Sequence, residues 1–391
     1  MSYERISLRE AAYVMEVLQS QFSTSRGANM LNRLERAFAE KFGVGYAISF
    51  VNGTATLHAA LAAAGVGPGD EVIVPPLTMA STSFAVLHAG ALPVFADIDP
   101  ETWTIDPASV RERITERTKA IIPVAIYGLS PDMDPIMDIA EEHGLFVLED
   151  DAQCFLGKYK GRLVGTLGHA ASFSFQSSKH MTSGEGGMVI TDDPDLADRI
   201  RRFNSLGYAA VGRSQAKISK DVIQDPNYAR HVEIGWNYRM AEVCAAVALG
   251  QLERLDLLVT LRKKAASYFA QAVEGCTWLT PQKVPEGYEH AYWTYVLRLD
   301  RDDITWHDFR AKYLEFGGEP FYGAWRLTYL EPAFQGKRFA DYQWQEFGPG
   351  LCPVAEATQP RLIQLPTNYF SEAEMERQAE ALARTIDYFG R

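Results

Sequence analysis

Apolar residues along this chain follow two alternating rhythms. Leu31, Leu34, Phe38 and Phe42 recur at helical spacing with Glu35 and Arg36 opposite, so the first 43 residues are predicted to be helical. Beyond them, short apolar runs at 47–51 (AISFV), 71–76, 92–98, 120–126, 145–150, 170–175 and 187–193 read as strands. Helical stretches at 54–65, 81–90 and 134–144 separate them, and Gly65 marks a helix end. Strands alternating with helices predict an α/β layer fold with a mainly parallel central sheet. Several strands are apolar throughout, as a sheet covered on both faces requires.

The rhythm breaks at residues 207–232, a polar loop with Gly207, Gly212, Asp225, Pro226 and Asn227. A stretch of helical pattern then runs from about 240 to 273, long enough to predict a bend or break. The expected division is a large α/β domain over 1–261, with its helical N-terminal segment, and a smaller α+β domain over 262–391. The clearest strand of the smaller domain is 292–299 (YWTYVLRL).

Composition narrows the function classes. The 391 residues are 47% hydrophobic and 23% charged, an ordinary globular balance. Lys and Arg number 38 against 50 Asp and Glu, giving a net charge of −12, and the basic residues are scattered. A nucleic-acid-binding protein is therefore not expected. The four cysteines form no CxxC pair and the eight histidines no metal-ligand cluster, so no metal is predicted. The absence of a signal-like N-terminus or a long apolar run leads to the expectation of a cytoplasmic protein with reduced thiols and no membrane segment.

In open α/β sheets ligands gather beyond the carboxyl ends of strands. After 47–51 come Gly53, Thr54 and Ala55 at the start of a helix, where free amides suit a phosphate, although a plain helix cap explains them as well. After 145–149 come Asp150, Asp151 and Gln153, with acids that could meet a cation or simply cap a helix. After 170–175 comes Lys179, ahead of a glycine-rich turn; a lysine held partly unprotonated can form a Schiff base. A phosphate cradle, an acid and a lysine at one sheet edge match the needs of pyridoxal 5′-phosphate (PLP).

These segments give the chain a family resemblance. Gly53-Thr54-Ala55, the run Glu149–Gln153, the run Ser174–Gly187 and the run Gly235–Leu252 (GWNYRMAEVCAAVALGQL) resemble, in order, the motifs of the DegT/StrS-type sugar aminotransferases, which are fold-type I PLP enzymes. The resemblance implies that Lys179 holds PLP as the internal aldimine and later moves the substrate proton. It implies that Asp150 pairs with the pyridine nitrogen, that Gln153 contacts the ring and its hydroxyl, and that Gly53, Thr54, Ala55 and Ser174 hold the phosphate. Asn237 matches the residue that reaches the neighbouring subunit's PLP phosphate, which implies a homodimer with shared sites. Met79 stands where the family usually carries an aromatic residue stacked on the ring. The family's H-Y-x-P-x-H segment is replaced by Phe321–Arg326, in which Tyr322 is kept and Arg326 is a candidate carboxylate partner.

The activity this implies is ping-pong transfer of an amino group from L-glutamate, or glutamine, to a keto sugar or related polyhydroxylated carbonyl compound. Two alternatives are a PLP-dependent sugar dehydratase, in which a histidine replaces the lysine, and a non-catalytic relative of the same fold. The intact Lys179 weighs against the first, and the joint presence of lysine, acid and phosphate residues against the second.

Overall fold

The structure, a computed structural model, describes residues 3–23, 26–27, 29–209, 211 and 224–390. The helical start resolves into α1 (Leu8–Gln19) and α2 (Met30–Phe42). On α2 the buried stripe is Met30, Leu34, Phe38 and Phe42, while Leu31, expected on that face, is only partly buried. Most of the polar stretch at 207–232 lies outside the described residues.

Strands β1 (Tyr46–Phe50), β2 (Glu71–Val74), β3 (Leu92–Phe95), β4 (Thr118–Ile121) and β5 (Phe146–Asp150) follow, and β6 (Lys158–Tyr159) and β7 (Arg162–Leu163) form a small hairpin. β8 (Ala170–Ser174) and β9 (Gly187–Thr191) complete a seven-stranded sheet in the order β1-β9-β8-β5-β4-β2-β3. The neighbours β3-β2-β4-β5-β8 are parallel, whereas β9 runs antiparallel to both β8 and β1. A single reversed strand therefore leaves β1 pointing the same way as the parallel set. The carboxyl ends of β1, β2, β4, β5 and β8 all open on one edge.

The long helical pattern breaks at Glu253–Arg254 into helices Glu242–Leu252 and Leu255–Val273. The break has a physical cause in α1. Its buried Glu10 accepts from Arg254 Nη2 at 2.8 Å and from the Gln251 amide, and pins the chain where the direction changes. Gly250 permits this approach, since a Cβ there would lie 2.8 Å from Glu10 Cγ.

The second half adds β10 (Leu279–Pro281), β11 (Tyr288–Glu289), β12 (Thr294–Leu299), β13 (Tyr322–Gly323) and β14 (Leu362–Pro366). β11 joins the β6–β7 hairpin, and the others form a four-stranded antiparallel sheet in the order β10-β12-β14-β13. Helices Leu255–Val273 and Glu372–Phe389 share an apolar core with that sheet. The chain between them also covers the open edge of the large sheet. The Gln345 amide takes both the N–H and the C=O of Phe95 (2.7 and 2.8 Å), standing in for the strand that β3 lacks.

Candidate active site

The strand ends converge on one cavity of about 530 Å³, lined among others by Gly53, Thr54, Thr78, Met79, Asp150, Gln153, Ser174, Lys179, Trp293 and Trp325. Each arrives from a different element, and the common direction of the strands is what brings them together.

Helix α3 (Gly53–Ala63) starts directly after β1. Asn52 caps it by accepting from the Ala55 amide at 2.9 Å. The amides of Gly53 and Thr54 take no partner among the described residues, and they sit at the positive end of the helix beside the cavity. Ala55 is buried, its amide is spent on Asn52, and it does not line the cavity. Gly53 packs so tightly on β8 that a Cβ would meet Ser174 Cβ at 2.9 Å. Only glycine lets the helix start and Ser174 face the cavity together.

The three acids at the carboxyl end of β5 have separate environments. Glu149 accepts the amides of Gly165, Leu167 and Gly168 at 2.7 to 2.9 Å and serves to hold that loop. Asp150 lies at the cavity floor and accepts from Thr82 Oγ1 at 2.8 Å; burial raises its carboxyl pKa, while the Thr82 bond and Lys179 act the other way. Asp151 is turned away from the cavity, with Oδ2 buried and unpartnered. Burial and the Glu149 and Asp150 charges push its pKa well above the carboxylate range. Asp150 makes no ion pair among the described residues, and a protonated ring nitrogen would supply a partner. Gln153 Oε1 accepts the Tyr127 amide at 2.7 Å, which fixes the side chain at the cavity wall.

Lys179 is 8% exposed, and its Nζ lies 4.5 Å from the centre of the Trp293 indole. Burial lowers its pKa to about 8; Arg262 adds to that effect, and Asp150 and Glu185 oppose it. His180 does not share the cavity. Its buried Nε2 pairs with the Ala291 carbonyl at 2.9 Å, and burial keeps the ring neutral. The amine, and not the imidazole, therefore faces the cavity.

Met79 stands half-exposed at the cavity mouth. Asn237 is exposed and lies outside the lining, on the segment following the 207–232 stretch. Tyr322 and Arg326 are both exposed and neither lines the cavity. The buried Phe321 and Leu327 anchor this stretch at both ends, and it turns Trp325 inward instead. Trp293, Trp325, Thr78 and Thr82 were not expected from the sequence as site residues. Trp293 reads there as one more core position of a strand.

Among the described residues no group of three His, Cys, Asp or Glu could hold a metal, no helix is long and apolar enough to cross a membrane, and all four cysteines are free. The model of the DegT/DnrJ/EryC1/StrS aminotransferase family matches residues 4–383. A GDP-perosamine synthase of Caulobacter vibrioides is 36% identical over 386 residues, covering 98% of this chain and 96% of that protein. An L-glutamine:2-deoxy-scyllo-inosose aminotransferase of Streptomyces lividus is 37% identical over 307 residues, covering 76% and 71% respectively. The X-ray structure of an aminotransferase from Psychrobacter cryohalolentis superposes with a TM-score of 0.87 at 30% identity, over 98% of this chain and 97% of that one.

Proposed function

The chain belongs to the DegT/DnrJ/EryC1/StrS aminotransferase family and is an aminotransferase, and we propose that it moves an amino group from L-glutamate or L-glutamine to a keto sugar or related polyhydroxylated carbonyl compound, using PLP held around Lys179. The carrying observation is the meeting of a buried amine, a buried carboxylate that makes no ion pair among the described residues and an open helix N-terminus in one cavity. The relatives' names, a GDP-perosamine synthase and an inosose aminotransferase, support a polyhydroxylated acceptor; one of them names L-glutamine.

The residues fit PLP. The Gly53 and Thr54 amides and the Ser174 hydroxyl suit its phosphate, Asp150 its pyridine nitrogen, Gln153 its ring hydroxyl and Lys179 its aldehyde. When bound, PLP supplies an aldehyde that exchanges amines and a ring that takes up electrons. Asp150 would hold a proton on that ring nitrogen by its charge. Lys179 would be the base that takes the proton from the donor's α-carbon, and burial that lowers its pKa to about 8 favours the unprotonated amine this role needs. Trp293, Trp325 and Met79 line the cavity beside that exchange. Asn237, exposed and away from its own cavity, serves the phosphate site of a second copy in a homodimer. The free thiols support a cytoplasmic setting.

The test is a visible absorption spectrum of the purified protein loaded with PLP, before and after L-glutamate or L-glutamine. A band that forms with PLP, is lost on adding one donor and returns with a keto sugar is the expected result. A Lys179→Ala variant that transaminates normally would overturn the assignment.

A further inference from the structure

Helix Leu255–Val273 carries Arg262 beneath the turn that bears Lys179. Arg262 is 4% exposed. All of its hydrogen bonds among the described residues go to uncharged oxygens: the carbonyls of Ser178 (2.9 Å), Lys179 (3.0 Å) and Trp293 (2.8 Å), and Thr367 Oγ1 (3.1 Å). A buried cation facing no carboxylate is costly, and most buried charges are paired. Burial and the nearby Arg5 lower its pKa to about 9, so it stays charged at neutral pH.

A second guanidinium works on the same turn. Arg5, from the opposite end of the chain, donates to the carbonyls of Ser177 and of Lys179, the latter at 3.0 Å. Trp293 Nε1 adds a third donor at the Ser178 carbonyl, 3.0 Å away. Three successive carbonyls are thus held by donors, while the Lys179 amine enters the cavity.

We propose that Arg262 is a positioning residue for Lys179, clamping the backbone that carries the amine and keeping a fixed positive charge behind it. The clamp holds the amine toward the cavity, and the charge disfavours a second cation there. Asp150 and Glu185 pull toward protonation of the amine; burial and Arg262 push against it. Arg5 reaches the backbone of the same turn, and the adjoining His180 is neutral. The inference rests on the reading of Lys179 as the amine that takes the PLP aldehyde.

The test follows the titration of Lys179 in the full-length, cofactor-free protein, by competitive acetylation across pH with mass spectrometry of its peptide. The wild-type midpoint is expected near 8. Arg262→Gln is expected to raise it by about 1 pH unit, the scale of a nearby like charge. Arg262→Lys loses the planar fork, and a buried ammonium there would shed its proton readily, so this variant tests the clamp: PLP should bind about tenfold more weakly, the scale of one lost charge-assisted hydrogen bond. A folded Arg262→Gln protein with a wild-type midpoint overturns the proposal alone. If Arg262→Gln does not fold, Arg262→Lys decides: wild-type PLP affinity in that variant also overturns it. A wild-type amine that titrates like an exposed lysine overturns both the proposal and the reading of Lys179 beneath it.

Discussion

The Lys179 amine and the Trp293 indole are coupled twice. Nζ lies 4.5 Å from the ring centre, and the indole Nε1 holds the Ser178 carbonyl next to the lysine. A cation over an aromatic face gains about 0.5–2 kcal/mol, which favours the protonated amine, so the loss of turnover expected on substitution comes from the Ser178 hydrogen bond and from the packing that positions the amine. Trp293→Phe keeps a ring face and loses the hydrogen bond, whereas Trp293→Ala loses both. Steady-state kinetics should show the alanine variant at least about tenfold down in kcat/KM, the scale of 1.4 kcal/mol, and the phenylalanine variant between it and wild type. Equal rates in all three would remove Trp293 from the site.

The neighbouring acids should respond in opposite ways. Asp150→Asn removes the charge facing the cavity, and turnover should fall about 100-fold, as when one preorganised electrostatic partner is lost, with PLP still bound. Asp151 has its folded pKa raised. It is accommodated as the protonated acid at low pH, and stability is lost as pH rises beyond the ordinary carboxylate range. Asp151→Asn should therefore leave turnover nearly intact and raise Tm at pH 8 more than at pH 4. A severe kinetic loss in Asp151→Asn alone would exchange the two roles.

Gly53→Ala places a Cβ 2.9 Å from Ser174 Cβ, both on packed backbone. Overpacking of this kind costs about 1–3 kcal/mol, and the phosphate end should lose affinity with it. Ser174→Gly in the same chain should recover stability but not phosphate affinity, measured by thermal unfolding and PLP titration. No coupling between the two substitutions would remove the contact as the cause.

Lys179 carries a stability cost of its own. Its folded pKa lies near 8 and below that of an unfolded lysine. The unfolded chain therefore binds more protons between about pH 8 and 10.4, and stability rises with pH across that window. Below it the penalty is of order 3 kcal/mol, from about 1.36 kcal/mol per pH unit. Lys179→Met should raise the stability of the cofactor-free protein at pH 7, and its advantage should shrink toward pH 10. A pH-independent advantage would place the cost in packing instead of charge.

Asn237 gives a test of shared sites. Mixed dimers of inactive Lys179→Ala and Asn237→Asp subunits should recover activity, because one of the two sites then combines an intact lysine with an intact asparagine. Verified heterodimers without recovery would confine Asn237 to its own subunit.

What the chain reveals by itself is what neighbouring residues carry together. Period and strand-end chemistry are local, so β5 with Asp150, β8 with Ser174 and Lys179, and the Gly53 turn are legible from their own segments. The break near Arg254 follows from length alone, although its place depends on Glu10, far away in the chain. The tertiary structure alone decides which distant side chains complete the site. Strand direction, with β9 reversed between β8 and β1, puts the Gly53 and Lys179 segments on one edge. Packing turns Trp293 and Trp325 into the cavity and leaves Tyr322 and Arg326 outside it. It also sets Thr82 on Asp150 and Arg262 under Lys179. Each of these pairs is far apart along the chain, and local pattern carries no signal for a contact that exists only once the sheets and helices have packed.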